Sequence, residues 1–272
     1  MSSMKVAVAG ASGAAGIPII QELLAAGHFV IALTRVGSPG SRLPKHPHLG
    51  IAEVDYDSIS SLTETLKGHT AVVACGLLFQ DNLIDASIAA GVTRFFPAKF
   101  GTDTDNPKAA QLPVFANKIH AFDYLKDKVA ANPEFSYTAF CPGMFLDWGL
   151  EHGFLVDRKH TATVYDGGGL PFSTTTLPTI SNAVVSIRSQ LEETKNRHVY
   201  IHDALVTQNQ LIAIAKKIDG KEWDLTHTTT ASTETSAYEE LQKGQQDIAK
   251  KIFPRCTSSS WLRDTAETFQ AV

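Results

Sequence analysis

Cysteine is scarce in this sequence of 272 residues. Its three cysteines, Cys75, Cys141 and Cys256, are odd in number and far apart, and no C-x-x-C pair occurs. Disulfide frameworks and structural zinc sites need paired or closely spaced cysteines, so the sequence argues against both and fits a reducing compartment. No spacing of histidines and carboxylates indicates another metal site. We therefore expect a cytoplasmic protein without a bound metal.

Long apolar runs and an excess of positive charge are also missing. No segment approaches the roughly 20 apolar residues that cross a bilayer, and no apolar stretch precedes a cleavage site near the N-terminus. The formal net charge is −4 and the isoelectric point is about 6.2. This charge gives no electrostatic basis for binding nucleic acid or an anionic membrane surface. We expect a soluble protein with neither kind of partner.

Short apolar runs and segments of helical periodicity alternate through the first half of the chain. Strands joined by helices of this length form parallel βαβ units, which predicts an α/β fold with a Rossmann-type, doubly wound parallel sheet. The predicted strands cover residues 5–10, 28–35, 50–56, 69–76, 92–97 and 135–143, and the predicted helices cover residues 17–27, 58–68, 79–91 and 115–130.

The pattern loosens after Gly143, and no linker rich in Pro, Gly or Ser separates independent domains. We expect a nucleotide-binding Rossmann domain over residues 1–150 and a smaller C-terminal substrate lobe over residues 151–272, interleaved with the first. Such a lobe would cover the C-terminal edge of the sheet, where ligands of doubly wound folds bind. Its predicted elements are a strand and glycine-rich turn at 161–172, helices at 177–193 and 207–220, and a strand at 198–203.

A glycine-rich loop, GASGAAG, lies between the first predicted strand and helix. In a G-x-x-G-x-x-G loop the first glycine permits the tight turn, the second lets phosphates approach the backbone, and the third lets the helix pack close to the sheet. The other interpretation is a turn of small residues without a ligand. We take the loop as the candidate dinucleotide-binding segment, comprising Gly10, Ala11, Ser12, Gly13, Ala14, Ala15 and Gly16.

The end of the second strand, ALTRVGSPGSR, carries no carboxylate for a ribose 2′-hydroxyl. Arg35 stands in that place, and Arg42 and Lys45 follow in the loop. A guanidinium there pairs with a 2′-phosphate, which favours NADP(H) over NAD(H), unless Arg35 is only a solvated loop residue. Asp55, after the third strand, is a candidate for the adenine side of the site.

These features resemble the NmrA-like and isoflavone-reductase-like proteins, which are atypical short-chain dehydrogenases. The resemblance also rests on RFFPAKFG at 94–101, on F-x-x-K at 115–118, on CPGMF at 141–145 and on YDGGG at 165–169. It implies an NADPH-dependent reductase of a small aromatic or polyketide-derived metabolite, as a monomer or homodimer. A second branch of the family implies an alternative, a regulator that senses the dinucleotide without turnover.

Two lysines compete for the catalytic role. Tyr124 and Lys128 have the Y-x-x-x-K spacing of short-chain dehydrogenases, but Lys128 lies only 14 residues before Pro142 and Asn132-Pro133 ends the helix just after it. The resemblance instead places the family's catalytic lysine at Lys118, as a proton donor or an orienting group for the cofactor. The tyrosine one turn earlier is replaced by Val114.

Further candidates surround this site. The resemblance predicts glutamate where Lys99 stands, so Lys99 is either a cofactor contact or a solvated loop lysine. The sequence IHAF at 119–122 also replaces a basic run of the family. These two departures favour a fungal or bacterial secondary-metabolite reductase over the plant enzymes. We also count Cys75 and Phe145 as candidate cofactor contacts. We take His120 as a surface or boundary histidine and Cys141 as a small core residue, and expect either an aromatic pocket or apolar filling from Met144, Phe145 and Trp148.

Overall fold

The computed structural model describes residues 3–38, 40–76, 78–156 and 160–245. Cys256 and the end of the expected C-terminal lobe lie outside these residues. No helix in the described ranges is both long enough and apolar enough to span a bilayer.

The described strands are β1 (Lys5–Ala9), β2 (Phe29–Arg35), β3 (Leu49–Val54), β4 (Ala71–Ala74), β5 (Arg94–Phe96), β6 (Ser136–Cys141), β7 (Met144–Phe145), β8 (Thr161–Tyr165), β9 (Phe172–Thr175), β10 (Arg197–Tyr200), β11 (Ala204–Val206) and β12 (Asp224–Thr228). The α-helices are α1 (Gly16–Ala25), α2 (Ile59–Leu66), α3 (Gln80–Ala89), α4 (Pro107–Ala110), α5 (Ala116–Ala131), α6 (Leu146–Glu151), α7 (Leu177–Ser186), α8 (Gln208–Asp219) and α9 (Thr230–Gln242).

The chain divides into two compact units, each drawn from three segments rather than from one continuous half. Unit 1 comprises Met1–Phe100, Asn117–Cys141 and Leu177–Ile201, and unit 2 comprises Gly101–Ala116, Pro142–Thr176 and His202–Val272.

Unit 1 contains a seven-stranded sheet in the order β10-β6-β5-β4-β1-β2-β3. Every neighbouring pair is parallel, and the chain order reverses between β1 and β4. The predicted doubly wound α/β fold is therefore confirmed. The strand predicted at 198–203 was assigned to the C-terminal lobe, and this was wrong: β10 pairs with β6 in unit 1.

The core of unit 1 follows from the apolar strand sequences. Successive side chains of a strand point to opposite faces of the sheet. Ala7 and Ala9 of β1 accordingly pack in one buried cluster, and Val6 and Val8 pack in another. Helix α1 adds Ile19, Ile20, Leu23 and Leu24 to the second cluster. With both faces covered, functional groups of this unit are left to the loops at the strand ends.

Unit 2 is built from smaller pieces. Strands β11, β9 and β7 form one sheet, and β12 and β8 form another. An apolar cluster around Phe172 and Leu211 stabilises them, and helix α9 packs Ala237 against Leu112 in a separate cluster. Helix α8 begins with a capping box of Thr207 and Gln210, which satisfies two otherwise unpaired backbone donors.

Candidate functional site

The glycine loop of unit 1 follows β1 and is shaped by a close approach of two backbones. Gly10 has φ +71°, and a Cβ there would lie 2.7 Å from the backbone nitrogen of Gly76, which follows β4. The carbonyl of Gly10 accepts the N–H of Gly13 at 3.0 Å. Only glycine combines this conformation with this contact. The loops after β1 and β4 thus meet where the strand order reverses, the usual binding position of doubly wound sheets.

Gly16 and Gly13 have different roles in the loop. A Cβ at Gly16 would lie 2.7 Å from the carbonyl oxygen of Ala11, so Gly16 allows α1 to approach the loop itself rather than the sheet. A Cβ at Gly13 would meet only the carbonyl oxygen of Gly10, at 3.1 Å. Gly13 is exposed, and Ala15 gives the start of α1 no side-chain cap. The first N–H groups of α1 therefore fit an anionic ligand.

A cavity of about 320 Å³ opens beside this loop within unit 1. Of the predicted cofactor contacts, its lining includes Gly10–Gly13, Arg35 and Cys75. It does not include Ala14, Ala15, Gly16, Asp55, Lys99 or Phe145. Its lining residues are Ala9, Gly10, Ala11, Ser12, Gly13, Leu33, Thr34, Arg35, Ser38, Tyr56, Cys75, Gly76, Leu78, Phe79 and Leu83.

Arg35 ends β2 with an exposed side chain on the wall of this cavity. The following turn is held by the N–H of Gly37, which donates to Oε2 of Glu53 at 3.2 Å. Arg42 and Lys45 are exposed and lie outside the lining. Of the three predicted basic residues, Arg35 is therefore the one that lies on the cavity wall beside the glycine loop.

Tyr56, the residue after Asp55, was not among the predicted site residues. The carboxylate of Asp55 accepts the N–H of Asp57 at 3.0 Å and so serves a local turn. Tyr56 lines the cavity instead, and its hydroxyl donates to the carbonyl of Leu33 at 3.2 Å. Burial raises the pKa of Tyr56 to about 12, so the phenol stays neutral. An aromatic residue directly after β3 was the signal that could have revealed it.

Phe79 and Cys75 complete the wall on the β4 side. Phe79 has a left-handed backbone (φ +62°) and is 41% exposed, and its ring stacks on Tyr56 with centroids 6.0 Å apart. A non-glycine residue in this conformation stores strain and is concentrated at functional sites. Burial raises the pKa of the Cys75 thiol to about 12, so Cys75 offers a neutral contact rather than a nucleophile.

Lys99 follows β5, and its side chain is only 1% exposed. The alternative of a solvated loop lysine is therefore wrong. The Nζ atom lies 3.9 Å from the ring centroid of Phe122 and 3.0 Å from Nε2 of His198. No sequence pattern pointed to His198, because only the pairing of β10 with β6 places it here.

Lys118 lies in the first turn of α5, and its Nζ donates to the carbonyl of Phe100 at 3.3 Å. The pKa of its amine is lowered from 10.5 to about 8. Burial is the main cause, because it disfavours the charged form. The ammonium of Lys99 lowers the pKa further, and Cys141 acts in the opposite direction. A half-buried amine with this pKa can exchange a proton near neutral pH.

Tyr124 and Lys128 are both engaged by Asp85 of α3. The Tyr124 hydroxyl donates to Oδ2 of Asp85 at 2.8 Å, and Nζ of Lys128 lies 2.6 Å from Oδ1. This hydrogen bond to Asp85 raises the pKa of Lys128. One turn earlier, the exposed His120 lies 2.8 Å from Asp81. The Y-x-x-x-K residues thus join α5 to α3.

Unit 2 contains a second cavity, of about 220 Å³. Met144 of β7 is on its wall, whereas Phe145, the next residue of that strand, and Trp148 are not. The Trp148 ring stacks on His152 with ring centroids 4.5 Å apart. The lining residues are Met144, Gly153, Phe154, Leu155, Val156, Thr161, Ala162, Thr163, Tyr165, Phe172, Gln208 and Thr226. Aromatic and apolar walls with a few hydroxyl groups are typical of small-molecule sites.

The two glycine motifs of unit 2 have structural explanations. Gly143 of the P-G turn has φ +66°, and a Cβ there would lie 2.6 Å from the carbonyl oxygen of Ser173. In YDGGG, Asp166 accepts the N–H of Thr230 at 3.1 Å and its hydroxyl at 2.7 Å, which ties the turn to the start of α9. Both motifs fix the backbone of unit 2.

Several known proteins are similar to this chain in sequence. Residues 2–246 match the model of the NmrA-like family. The chain is 31% identical to oxidoreductase aprR of Aspergillus flavus, with 89% of this chain and 83% of that protein aligned. It is also 31% identical to oxidoreductase poxI of Penicillium oxalicum, with 89% and 78% aligned.

Solved structures share the fold at lower identity. The structure of AtPrR2 with NADP+ and (+)pinoresinol has a TM-score of 0.81 at 20% identity, over 100% of this chain and 91% of that chain. A crystal structure of isoflavone reductase has a TM-score of 0.76 at 20% identity, with the same coverage. The match to the family model and the identity to the two fungal relatives establish that the chain belongs to the NmrA-like family.

Proposed function

We propose that this chain is an NADPH-dependent reductase of a small aromatic or polyketide-type secondary metabolite. Gly10–Gly13 and Arg35 on one cavity, with the uncapped start of α1 directly after the glycine loop, support the choice of NADP(H). When bound, NADPH supplies the hydride. The names of the fungal relatives, both oxidoreductases, support a redox reaction.

The observation that carries the proposal is the position of Lys118, whose amine in the first turn of α5 donates to the carbonyl of Phe100. Its pKa of about 8 leaves the amine mostly protonated at neutral pH but ready to release the proton. Reduction of a polar double bond or ether needs one group that supplies a proton, and Lys118 is that group in this proposal. Its hydrogen bond to Phe100 fixes the direction of the amine.

Substrate class is inferred from unit 2. The cavity of about 220 Å³ has aromatic walls from Phe154, Tyr165 and Phe172. Planar aromatic ligands gain apolar burial and offset stacking in such a cavity, and hydroxyl groups such as that of Thr163 offer hydrogen bonds.

A regulatory function is the second candidate, and one observation favours it. Val114 stands where short-chain dehydrogenases place tyrosine, and it packs beside Leu112 in an apolar cluster of unit 2. A protein that senses the dinucleotide needs the cavity of unit 1 but no proton donor.

Turnover separates the two candidates. Purified protein should oxidise NADPH, followed by absorbance, when offered a panel of aromatic ketones, enones and benzylic ethers. Lys118→Ala should lower this turnover by about 10²-fold or more, which is the scale of lost acid–base catalysis. Affinity for NADPH should fall only modestly.

Tyr124→Phe and Lys128→Ala are the matched controls, because they alter the same helix at the Asp85 contact. Both should keep turnover within a few-fold of the parent. An inactive Tyr124→Phe with an active Lys118→Ala would overturn the assignment. Tight NADPH binding without turnover of any panel member would favour the regulator.

A further inference from the structure

Strands β8 and β12 of unit 2 place two threonines side by side. Thr163 of β8 is paired with Thr226 of β12 in a parallel register, and both residues line the cavity of about 220 Å³. Cross-strand partners project to the same face of a sheet, so both side chains lie on one face. Val164, which points to the other face, is buried in the apolar cluster with Leu211 of α8. This small sheet therefore turns an apolar face to α8 and a hydroxyl-bearing face to the cavity.

The hydroxyls of Thr163 and Thr226 are available to a ligand. In the part of the chain that the structure describes, neither hydroxyl forms a hydrogen bond with another residue. By contrast, the Thr174 hydroxyl of the same unit donates to the carbonyl of Ala204 at 3.1 Å. Thr163 is half-buried and Thr226 is exposed, so the pair extends from inside the cavity to its opening.

Gln208, at the start of α8, holds the backbone that carries Thr163. Its Oε1 atom accepts the N–H of Tyr165 at 2.9 Å, and its Nε2 donates to the carbonyl of Thr163 at 3.1 Å. The Gln208 side chain is 8% exposed and takes the place of a neighbouring strand along the edge of β8 away from β12. Because β8 is held on both edges, the Thr163 hydroxyl is presented in a fixed position, which lowers the entropic cost of binding.

The remaining walls select an uncharged ring. The described residues of the lining include no Lys, Arg, His, Asp or Glu. A carboxylate or phosphate would enter this cavity without a compensating charge, which is costly. The buried Phe172 and Leu155 offer apolar contact and a ring to stack on. A flat, neutral ligand that carries a few oxygen atoms fits these walls.

We propose that this cavity takes a planar ring with two oxygen substituents in a 1,3 relation, each bound by one of the two threonine hydroxyls. The proposal rests on the proposed function, whose substrate class it specifies. Adjacent strands lie about 4.8 Å apart, and two oxygens in a 1,3 relation on a six-membered ring are separated by about the same distance. Oxygens on neighbouring ring carbons are closer together, and oxygens on opposite sides of a ring system are farther apart.

The same pattern suits rings made from polyketide chains, because such chains carry oxygen on alternate carbons. A threonine hydroxyl can donate one hydrogen bond and accept others. The pair of Thr163 and Thr226 can therefore bind the ring oxygens either as phenols, which donate, or as ketones, which accept.

Binding of three isomers tests the proposal. The purified full-length protein is titrated by calorimetry with 1,3-, 2,3- and 2,6-dihydroxynaphthalene, without nucleotide, so that no reduction takes place. The 1,3-isomer should bind about 3- to 10-fold more tightly than the other two, which is the scale of one additional hydrogen bond. Thr163→Val and Thr226→Val should each remove this advantage, because valine keeps the branched shape but lacks the hydroxyl. Thr163→Ser should retain it.

Thr228→Val is the matched control, since Thr228 lies on the same face of β12 but outside the lining. It should keep the preference of the parent for the 1,3-isomer. Equal affinities of the three isomers for the parent, no binding of the 1,3-isomer, or an equal loss in Thr228→Val would overturn the proposal. The ranking of isomers by the parent decides the matter even if the valine variants do not fold. Because turnover is not read, failure here leaves the reductase assignment intact, and a protein without turnover could still show the ranking.

Discussion

Arg35 is a residue whose effect can be separated from the rest of the fold. It ends β2 on the wall of the cavity beside the glycine loop, with an exposed side chain. A guanidinium pairs with phosphate through two parallel hydrogen bonds but gains little from a neutral ribose hydroxyl. The choice between the two dinucleotides should therefore depend on this side chain.

We predict that the parent protein binds NADPH at least ~10-fold more tightly than NADH, a difference of about 1.4 kcal/mol. Arg35→Ala should remove most of this difference, because the 2′-phosphate loses its partner. Fluorescence titrations with both nucleotides measure it. Arg42→Ala, which lies outside the cavity lining, should keep the preference of the parent for NADPH. Equal affinities of the parent for NADPH and NADH would contradict the prediction.

Residue identities near the site were only partly predictable from the sequence. Arg35 could be predicted because it stands at the end of β2, where a carboxylate would bind the ribose 2′-hydroxyl of NAD(H). Tyr56 could not be recognised in this way, because it is uncharged and follows Asp55, whose carboxylate serves a turn. The burial of Lys99 was unpredictable, because its partner His198 lies 99 residues away in sequence.

At the scale of elements, the loop before α1 contains one glycine that we expect to matter for ligand binding and another that matters for folding. A Cβ at Gly16 would lie within 3.0 Å of backbone atoms of the loop, which cannot move away cheaply, whereas a Cβ at Gly13 would meet one oxygen at 3.1 Å. Phosphates approach the exposed backbone near Gly13 in this class of loop. The two glycines should thus respond differently to the same substitution.

Gly13→Ala should weaken the binding of NADPH by about 10-fold or more. It should lower the free energy of unfolding by less than about 1 kcal/mol. Gly16→Ala should cost about 1–3 kcal/mol, because the loop must shift. Urea denaturation and nucleotide titration measure the two effects. A folded Gly13→Ala with parent affinity would show that phosphate does not lie at this backbone.

Element prediction succeeded where the sequence is periodic and failed where strands are short. The strands of unit 1 up to β6 are apolar runs that need no partner to be recognised. Strands β7, β9 and β11 of unit 2 have two, four and three residues, too few to show an alternation. FSTT of β9 is fully buried although three of its residues are polar. Such strands are defined by their neighbours in the sheet, which a local pattern does not contain.

For the molecule as a whole, the burial of Lys118 links stability to pH. Its pKa is about 8 in the folded protein and has its ordinary value of 10.5 when the chain is unfolded. Between these values the unfolded state holds more protons, so the free energy of unfolding contributed by this group increases with pH. The cost of holding the charged amine is fully present below pH 8 and is relieved as pH rises.

Lys118→Met removes this cost, because a neutral side chain of similar length fills the same place. The difference in urea midpoint between this variant and the parent should therefore be largest at about pH 7 and should shrink to less than about half by about pH 9.5. This window also avoids Tyr56, whose raised pKa contributes stability that is lost only above about pH 10. A constant difference between the two proteins across the window would contradict the assigned ionisation.

The Asp85 contact with Tyr124 and Lys128 has a consequence for how such sequences are interpreted by comparison. A search for tyrosine and lysine at the dehydrogenase spacing would place the reaction at Lys128, ten residues beyond Lys118. Mutants designed from that match would change the contact between α3 and α5 and leave turnover nearly intact, and the retained activity would be recorded as evidence against a lysine in the reaction. A lysine in the reaction is tested only when a variant of Lys118 is assayed beside them.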